Sequence, residues 1–301
     1  NEFKVEVTDL KAKTKYYYRA YVMLNNLQIL LGDVKEFTTL EKSGSDEPET
    51  PEEPETPDEP EQPESTFMFS VAENKMVTFS PGNLQYHPAN DEWRFAPSQL
   101  DYIGDDNANI SETYNGWIDL FGWGTGNNPT NKSKFYDDYP TFVDWGVNKI
   151  GSDAPNTWRT LTKEEWDYLR FERPNYDELI GVAQVNGVNG LILLPDGWTC
   201  PDDVSFKPGF HENAGTEYYA AYQTFSSSDW AKLEASGAVF FPAAGYRYSS
   251  DISNVQGCGY YWSATELFTG FANNLYFYSD EADRINYYSY RGYSVRLVKD
   301  N

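Results

Sequence analysis

The clearest alternation of hydrophobic and polar residues lies near the C-terminus, in residues 259–298. Leu275 and Phe277 alternate there with asparagine and tyrosine, as in a strand that buries one face. A similar alternation follows closer to the chain end. The pattern predicts three strands, over Tyr260–Ala264, Ala272–Tyr278 and Tyr293–Val298.

One side of these strands is predicted to be core. That side holds Trp262, Leu275, Phe277, Tyr293, Val295 and Leu297. The aromatic, amide and arginine residues that are left over exceed what one small core needs, and such residues are favoured in recognition surfaces. We predict that nine of them form one partly exposed ligand-binding patch: Phe268, Phe271, Asn274, Tyr276, Tyr278, Tyr287, Tyr288, Tyr290 and Arg291. The alternative is that these tyrosines pack at sheet edges.

Two helices are predicted, each from a capping box in which a hydroxyl and a carboxylate three residues apart satisfy free backbone N–H groups. Thr162 and Glu165 begin the first helix. Ser226 and Asp229 begin the second, which ends at Gly237. No other segment of the chain carries so clear a helix signal.

Shorter apolar runs predict further strands. An opening pair of strands follows Phe67 and turns at residues 73–75. Gly181–Val185 and Leu191–Leu194 form two more, and the second is wholly apolar, which predicts burial on both faces. Ala238–Phe241 resembles it.

Two turn signals, Asn186-Gly187 and Asn189-Gly190, separate the central pair of strands. Residues 101–150 lack clear periodicity and predict a long loop region.

Residues 1–40 predict three strands, over Phe3–Val7, Tyr16–Leu24 and Val34–Thr39. The spacing of Leu10, Thr14 and Tyr16 resembles the tyrosine corner of a fibronectin type III domain, with Tyr16 at the corner position. A complete sandwich of that type needs about 100 residues. We therefore expect 1–40 to be the C-terminal part of such a domain.

Residues 41–66 predict a linker. Six prolines recur there at every third position, with acidic residues between them, so the chain favours an extended polyproline II conformation. We predict that 46–65 is extended and contacts neither domain. The prediction for the whole chain is an α+β protein, with a partial β-sandwich before the linker and the large domain over 67–301 after it.

The chain is strongly acidic, with 47 Asp and Glu against 23 Lys and Arg and a net charge of −24. This balance argues against nucleic acid as a partner. No run of about 18 apolar residues occurs, so no membrane span is predicted. The first residue is Asn and no leader follows, so we expect the natural N-terminus and any targeting signal to lie upstream.

Candidate catalytic chemistry is weak, and no catalytic residue is predicted. Glu164, Glu165 and Asp167 form the tightest carboxylate cluster, but their place in the first turns of a helix favours a structural role. His87 and His211 accompany no nucleophile motif. No metal site is predicted.

The large domain resembles a known family. The motifs YYWSATE (260–266) and YSYRGYSVRLV (288–298), with WIDLFGWGTG (117–126) and NGLILLPDGW (189–198) before them, resemble a C-type-lectin-fold domain of bacterial surface proteins. That domain belongs to the branch similar to formylglycine-generating enzyme, which includes the variable proteins of diversity-generating retroelements. The resemblance covers about 67–300 and implies a fold with two helices, mixed sheets and long loops.

The resemblance implies a non-enzymatic, exported protein on the cell surface. Its ligand would be a protein or a glycan bound at the C-terminal face. The paired late cysteines of formylglycine-generating enzymes do not occur after Cys258, so their activity is not implied. Two alternatives stay open: a carbohydrate-active enzyme, and a structural pilus or envelope subunit.

The resemblance also raises the questions of calcium and a disulfide. Asp105, Asn107 and Asn109 have the alternating oxygen spacing of a calcium loop without its glycine and final acid, so only a structural calcium ion is considered and no other cofactor is predicted. Cys200 and Cys258 could be two free thiols or one bridge, which an exported protein permits. We predict that they lie close enough to bridge.

Overall fold

The structure is a computed structural model that describes residues 15–18, 21–23, 29–31, 35–39 and 67–301. The chain divides into two units, Asn1–Glu61 and Gln62–Asn301. The predicted strand Phe3–Val7 and the predicted linker 46–65 lie outside the described residues.

The first unit contains four short strands among its described residues. They are β1 (Lys15–Tyr18), β2 (Tyr21–Met23), β3 (Ile29–Leu31) and β4 (Lys35–Thr38). β1 pairs with β4 and β2 pairs with β3, in both cases antiparallel. The single predicted strand Tyr16–Leu24 covers two strands, β1 and β2, which have different partners. The predicted strand Val34–Thr39 covers β4, and β3 was missed.

The second unit is a mixed α+β fold with many strands and few helices, as the pattern predicts. Its strands before residue 230 are β5 (Phe69–Ala72), β6 (Lys75–Phe79), β7 (Leu84–His87), β8 (Glu92–Phe95), β9 (Ile180–Val185), β10 (Val188–Leu193) and β11 (Thr224–Phe225). The later strands are β12 (Val239–Pro242), β13 (Tyr246–Tyr248), β14 (Asp251–Ser253), β15 (Gly259–Phe268), β16 (Phe271–Phe277), β17 (Ala282–Tyr288), β18 (Arg291–Gly292) and β19 (Val298–Asp300).

Three α-helices accompany the strands: α1 (Lys163–Asp167), α2 (Thr216–Tyr222) and α3 (Ser227–Ala235). A π-helix follows α1 directly over Tyr168–Glu172, and short 3-10 helices occur at Pro88–Asn90, Gly104–Asn109, Tyr136–Asp138 and Trp145–Val147.

Both predicted helices are confirmed together with their capping boxes. Thr162 accepts the backbone N–H of Glu165 at the start of α1, and Ser226 accepts that of Asp229 at the start of α3. Gly237 has φ +92° just after α3, as a helix-ending glycine requires. The prediction of only two helices is wrong, because α2 also forms. Its N-cap is a glycine without a side-chain hydrogen bond, so no capping signal announces it.

The central sheet has the order β11-β9-β10-β12. Asn186 and Gly187 turn β9 into β10 with φ of 48° and 83°, as predicted. The prediction of a second turn at Asn189-Gly190 is wrong, because both residues lie inside β10. A Cβ on Gly190 would meet the backbone oxygen of Phe241 at 2.5 Å, so glycine here serves close strand approach and not a turn.

Strand β10 is buried on both faces, as predicted. Leu191 and Leu193 enter one hydrophobic cluster, with Trp166 of α1 and Phe277 of β16. Ile192 enters a second cluster on the opposite face, with residues of α3. A third cluster is rich in tryptophan and lies under residues 84–150 and the C-terminal segment.

The predicted strand Tyr293–Val298 is not a continuous strand. Its residues are buried, but Tyr293 and Ser294 make only single bridges, to Phe121 and Tyr261. The strand β19 begins at Val298 and pairs with β6. The segment is extended, as its alternation indicates, yet it crosses between sheets instead of joining one.

An ion-pair network ties α1 to the C-terminal strand. Arg159 donates two hydrogen bonds to Glu165, at 2.7 and 2.8 Å, and also binds Asp300. Lys75 donates to Glu165 at 2.8 Å. Burial alone would raise the pKa of Glu165, but hydrogen bonds from Arg159 and Lys75 outweigh it and hold that pKa below its ordinary value.

We expect Glu165→Gln to lower the free energy of unfolding by about 2–3 kcal/mol at neutral pH, because it removes charge-assisted hydrogen bonds to Arg159 and Lys75. A lowered folded-state pKa gives stability that is present above the ordinary carboxylate pKa and lost as pH falls through the lowered value. The variant should therefore unfold with a shallower acid dependence in urea titrations across the carboxylate range. Glu164→Gln is the matched control, since the Glu164 side chain is 70% exposed. Equal losses for the two variants would contradict the assignment.

Candidate ligand-binding face

The predicted binding residues lie mainly on a three-stranded antiparallel sheet. Its order is β15-β16-β17, with Phe271 opposite Tyr288 and Tyr276 opposite Asp283. Strand β17 was not predicted as a strand. Its charged, amide and aromatic residues do not alternate with buried apolar ones, and all but Ala282 are half-buried or exposed, so no buried face marks it.

The six residues predicted to form the core side are all buried. Each of Trp262, Leu275, Phe277, Tyr293, Val295 and Leu297 is at most 3% exposed. Leu275 and Phe277 pack in the cluster with α1 and the central sheet. The other four pack in the tryptophan-rich cluster.

Eight of the nine predicted binding residues are at least partly exposed. Phe268 is 56% exposed and Tyr287 is 37% exposed. Six others are half-buried: Phe271, Tyr276, Tyr278, Tyr288, Tyr290 and Arg291.

Ring contacts connect one group of these residues along the sheet end. Phe268 contacts Phe271 with ring centres 4.6 Å apart, and Phe271 contacts Tyr288 at 4.3 Å. Tyr288 stacks on Tyr290 at 4.9 Å, with the two rings within 10° of parallel. Tyr287 lies against Tyr288 at 5.6 Å.

Three tyrosines that the sequence reasoning missed complete this surface. Tyr248 contacts Tyr290 at 5.7 Å. Tyr260 contacts Tyr276 at 5.2 Å and Tyr246 at 5.7 Å. The signal that could have found two of them is the tripeptide of β13, in which Tyr246 and Tyr248 alternate with a buried arginine.

We call the connected surface the tyrosine face. It consists of Phe268, Phe271, Tyr276, Tyr278, Tyr287, Tyr288, Tyr290 and Arg291 with the added Tyr246, Tyr248 and Tyr260. Arg291 closes the connection, because its guanidinium lies near the rings of both Tyr246 and Tyr287.

Asn274 is the exception, and its predicted exposure is wrong. It is 1% exposed, since it lies on the central strand between Trp262 and Ile285. Both its amide nitrogen and its amide oxygen are buried without a hydrogen-bond partner. Leaving such a group unpaired costs free energy.

Three phenol groups of the face, those of Tyr260, Tyr276 and Tyr278, are uncharged at neutral pH. Burial and the neighbouring Cys258 raise the pKa of Tyr278 to about 12. Burial also raises the pKa of Tyr276 and that of Tyr260. Their hydroxyls are therefore hydrogen-bond donors and acceptors, and the charge of the tyrosine face comes from Arg291.

An exposed apolar group adjoins the tyrosine face at the β15–β16 turn. Leu267 is 45% exposed beside Phe268. The 3-10 helix Tyr136–Asp138 and the residue before it add Tyr136, which is 45% exposed, and Phe135, which is 72% exposed. The ring of Tyr136 packs over Gly270, where a Cβ would meet it at 2.7 Å. We call Phe135, Tyr136, Leu267 and Phe268 the apolar tip.

Three of the other sequence candidates for chemistry, Glu165, Asp167 and Asn107, have structural partners. Glu165 belongs to the network with Arg159, and Asp167 pairs with Lys163 and Arg284 at 2.9 and 2.7 Å. The side-chain amide of Asn107 donates to Gly104 and Asp119, and its oxygen accepts from the backbone. Within the described ranges no group of three or more His, Cys, Asp and Glu could hold a metal ion.

The structure has no disulfide bridge between the two cysteines, because both are free thiols. Cys200 is exposed and donates to the backbone of Val204. Cys258 is buried beside Tyr260 and Tyr278, and burial raises its thiol pKa to about 11. One thiol faces solvent and the other lies in the core.

Among the described residues, no helix has the length and apolar character needed to cross a membrane.

Comparison of the chain with protein-family models, with curated proteins and with solved structures finds no match. The resemblance drawn from the sequence motifs therefore stays a prediction.

We expect Asn274→Leu to raise the free energy of unfolding by about 1–2 kcal/mol, because leucine has the same branched shape and removes an unpaired buried amide. Thermal and urea unfolding measure the change. Asn273→Leu is the matched control. Asn273 is also buried, but its amide nitrogen donates to the backbone oxygen of Thr265, so Asn273→Leu should be less stable than Asn274→Leu. A destabilised Asn274→Leu would mean that a bound water or ligand pairs the amide.

Proposed function

We propose that this chain is a non-enzymatic, surface-displayed binding protein whose tyrosine face binds a protein or glycan ligand. The observation that carries the proposal is the connected and partly exposed aromatic surface formed by eight predicted residues with three further tyrosines. Large exposed aromatic patches on a protein surface mark interaction sites. Tyrosine also supplies rigid contact area with an adaptable hydroxyl.

We propose further that 67–301 has a C-type-lectin-like fold of the branch similar to formylglycine-generating enzyme. The ordered motifs support this, as do the two capped helices, the several small sheets and the long segment between β8 and α1 that has no regular strand. A role as an adhesin or as a variable protein of a diversity-generating retroelement would follow. Export to the cell surface is part of the same proposal.

The alternative of a carbohydrate-active enzyme has less support. Most glycoside hydrolases need two carboxyl groups facing one substrate. Three surface clefts of the described structure each have a single carboxylate among their lining residues: Glu234, Asp138 and Glu178. A structural pilus or envelope subunit would instead bury the tyrosine face against a neighbouring copy.

A binding screen with two defined probe sets tests the proposal. A random-peptide library displayed on phage and an array of oligosaccharides are each applied to the full chain. We expect ligands from either set to lose at least about 30-fold in affinity on the double variant Phe268→Ala/Tyr287→Ala, since hot-spot residues contribute about 2 kcal/mol or more each. The melting temperature should change little, because both side chains are exposed.

Phe171→Ala is the matched control, since Phe171 is 39% exposed and lies outside the tyrosine face. It should leave affinity unchanged. If all ligands bind the double variant as tightly as the parent, the tyrosine face is not a binding site. If the double variant instead unfolds far below the parent, the face is core, and if the parent forms stable oligomers that the double variant abolishes, the structural-subunit alternative holds.

A further inference from the structure

Arg291 is a half-buried cation enclosed by tyrosine rings. Its guanidinium carbon lies 4.5 Å from the ring centre of Tyr248, 5.0 Å from that of Tyr246 and 5.2 Å from that of Tyr287. Such contacts hold the cation by attraction to the ring faces and leave its N–H groups free. Its Nε is buried and has no hydrogen-bond partner.

This lack of partners distinguishes Arg291 from the other arginines of 67–301. Each of those seven donates at least one hydrogen bond within the protein: Arg94, Arg159, Arg170, Arg173, Arg247, Arg284 and Arg296. No hydrogen bond or ion pair joins the side chain of Arg291 to any residue that the structure describes.

A second cation lies at the same edge. The Nζ atom of Lys134 is 4.9 Å from the ring centre of Tyr248, the ring that also contacts Arg291. Lys134, too, makes no ion pair within the described part of the chain. The two side chains give the tyrosine face a positive edge on an otherwise acidic protein, which suits an anionic group supplied by a ligand.

The apolar tip indicates which kind of ligand supplies that group. Residues 134–136 run from the ring of Tyr248 to the turn at Gly270, so the positive edge and the apolar tip adjoin. Phe135, Leu267 and Phe268 expose hydrocarbon without a hydroxyl or amide. Exposed side chains of this kind match the apolar side chains of a protein better than the hydroxyls of a sugar.

We infer that the tyrosine face binds an acidic segment of another protein, with an Asp or Glu carboxylate of that partner on Arg291 and neighbouring apolar side chains of the partner on the apolar tip. The inference rests on the proposed function and narrows its ligand class. The planar guanidinium can donate two parallel hydrogen bonds to a carboxylate. Lys134 adds a second positive charge beside it.

Phage selection with a random-peptide library tests this inference on the full chain. The library is selected in parallel on the parent, on Arg291→Gln and on Arg94→Gln. Arg94 is the matched control, because it also lies over an aromatic ring, that of Trp117 at 3.6 Å, outside the tyrosine face. We expect peptides from the parent and the control, but not from Arg291→Gln, to be enriched in Asp or Glu next to apolar residues.

The acidic peptide that binds the parent most tightly is then synthesised, together with a version in which its Asp or Glu is replaced by Asn or Gln. We expect either Arg291→Gln or the acid-to-amide change to weaken binding about tenfold or more, and the two changes together to cost little beyond one alone, because they remove the same contact. Arg291→Lys should give an intermediate loss, since lysine keeps the charge without the planar fork. Added salt should weaken binding of the acidic peptide but not binding of its amide version.

One outcome would overturn the inference and leave the proposed function standing. In that outcome the selected peptides need Phe268 and Tyr287 for binding, but those selected on the parent are no more acidic than those selected on Arg291→Gln. Polygalacturonate binding through Arg291, with no peptide selected, would also overturn it, because the anion then comes from a glycan. If no peptide or oligosaccharide depends on the tyrosine face, the proposed function fails as well.

Discussion

The second unit depends on one extended segment, Gly292–Val298, which joins separate parts of the fold through its backbone. It lies in the interior, where every backbone N–H and C=O must find a partner. Its hydrogen bonds connect it to residues from five different places along the chain: Ser80, Leu84, Phe121, Arg159 and Tyr260. This buried segment therefore holds distant parts of the second unit together. It also positions Arg291, the residue that directly precedes it in the chain.

Local signals predicted much of this fold. Both capping boxes began helices, and the apolar run of β10 and the core side of the C-terminal strands were buried as expected, because each pattern depends on neighbours a few residues away. Where long-range pairing decides, the sequence was less informative. The glycine of Asn189-Gly190 serves the approach of β12, and α2 begins without a cap.

The candidate site shows the same division. Alternation separates buried from exposed residues, so it identified most of the tyrosine face. It could not show that β17 would pair with β16, and so it could not show that Asn274 would lie on a central strand and be covered. Alternation marks Tyr246 and Tyr248 as lying on one side of β13, but it could not show that they join the tyrosine face, because β13 reaches that place through its pairing with β18.

The hairpin of β15 and β16 has a further consequence. Its register shifts twice between Trp262 and Phe268, and residues 266–269 are all exposed. The half of the hairpin that packs in the core is thus separated by irregular pairing from the half that faces outward. Substitutions in the outer half change few core contacts, so they can alter the exposed surface there while the free energy of folding stays nearly constant.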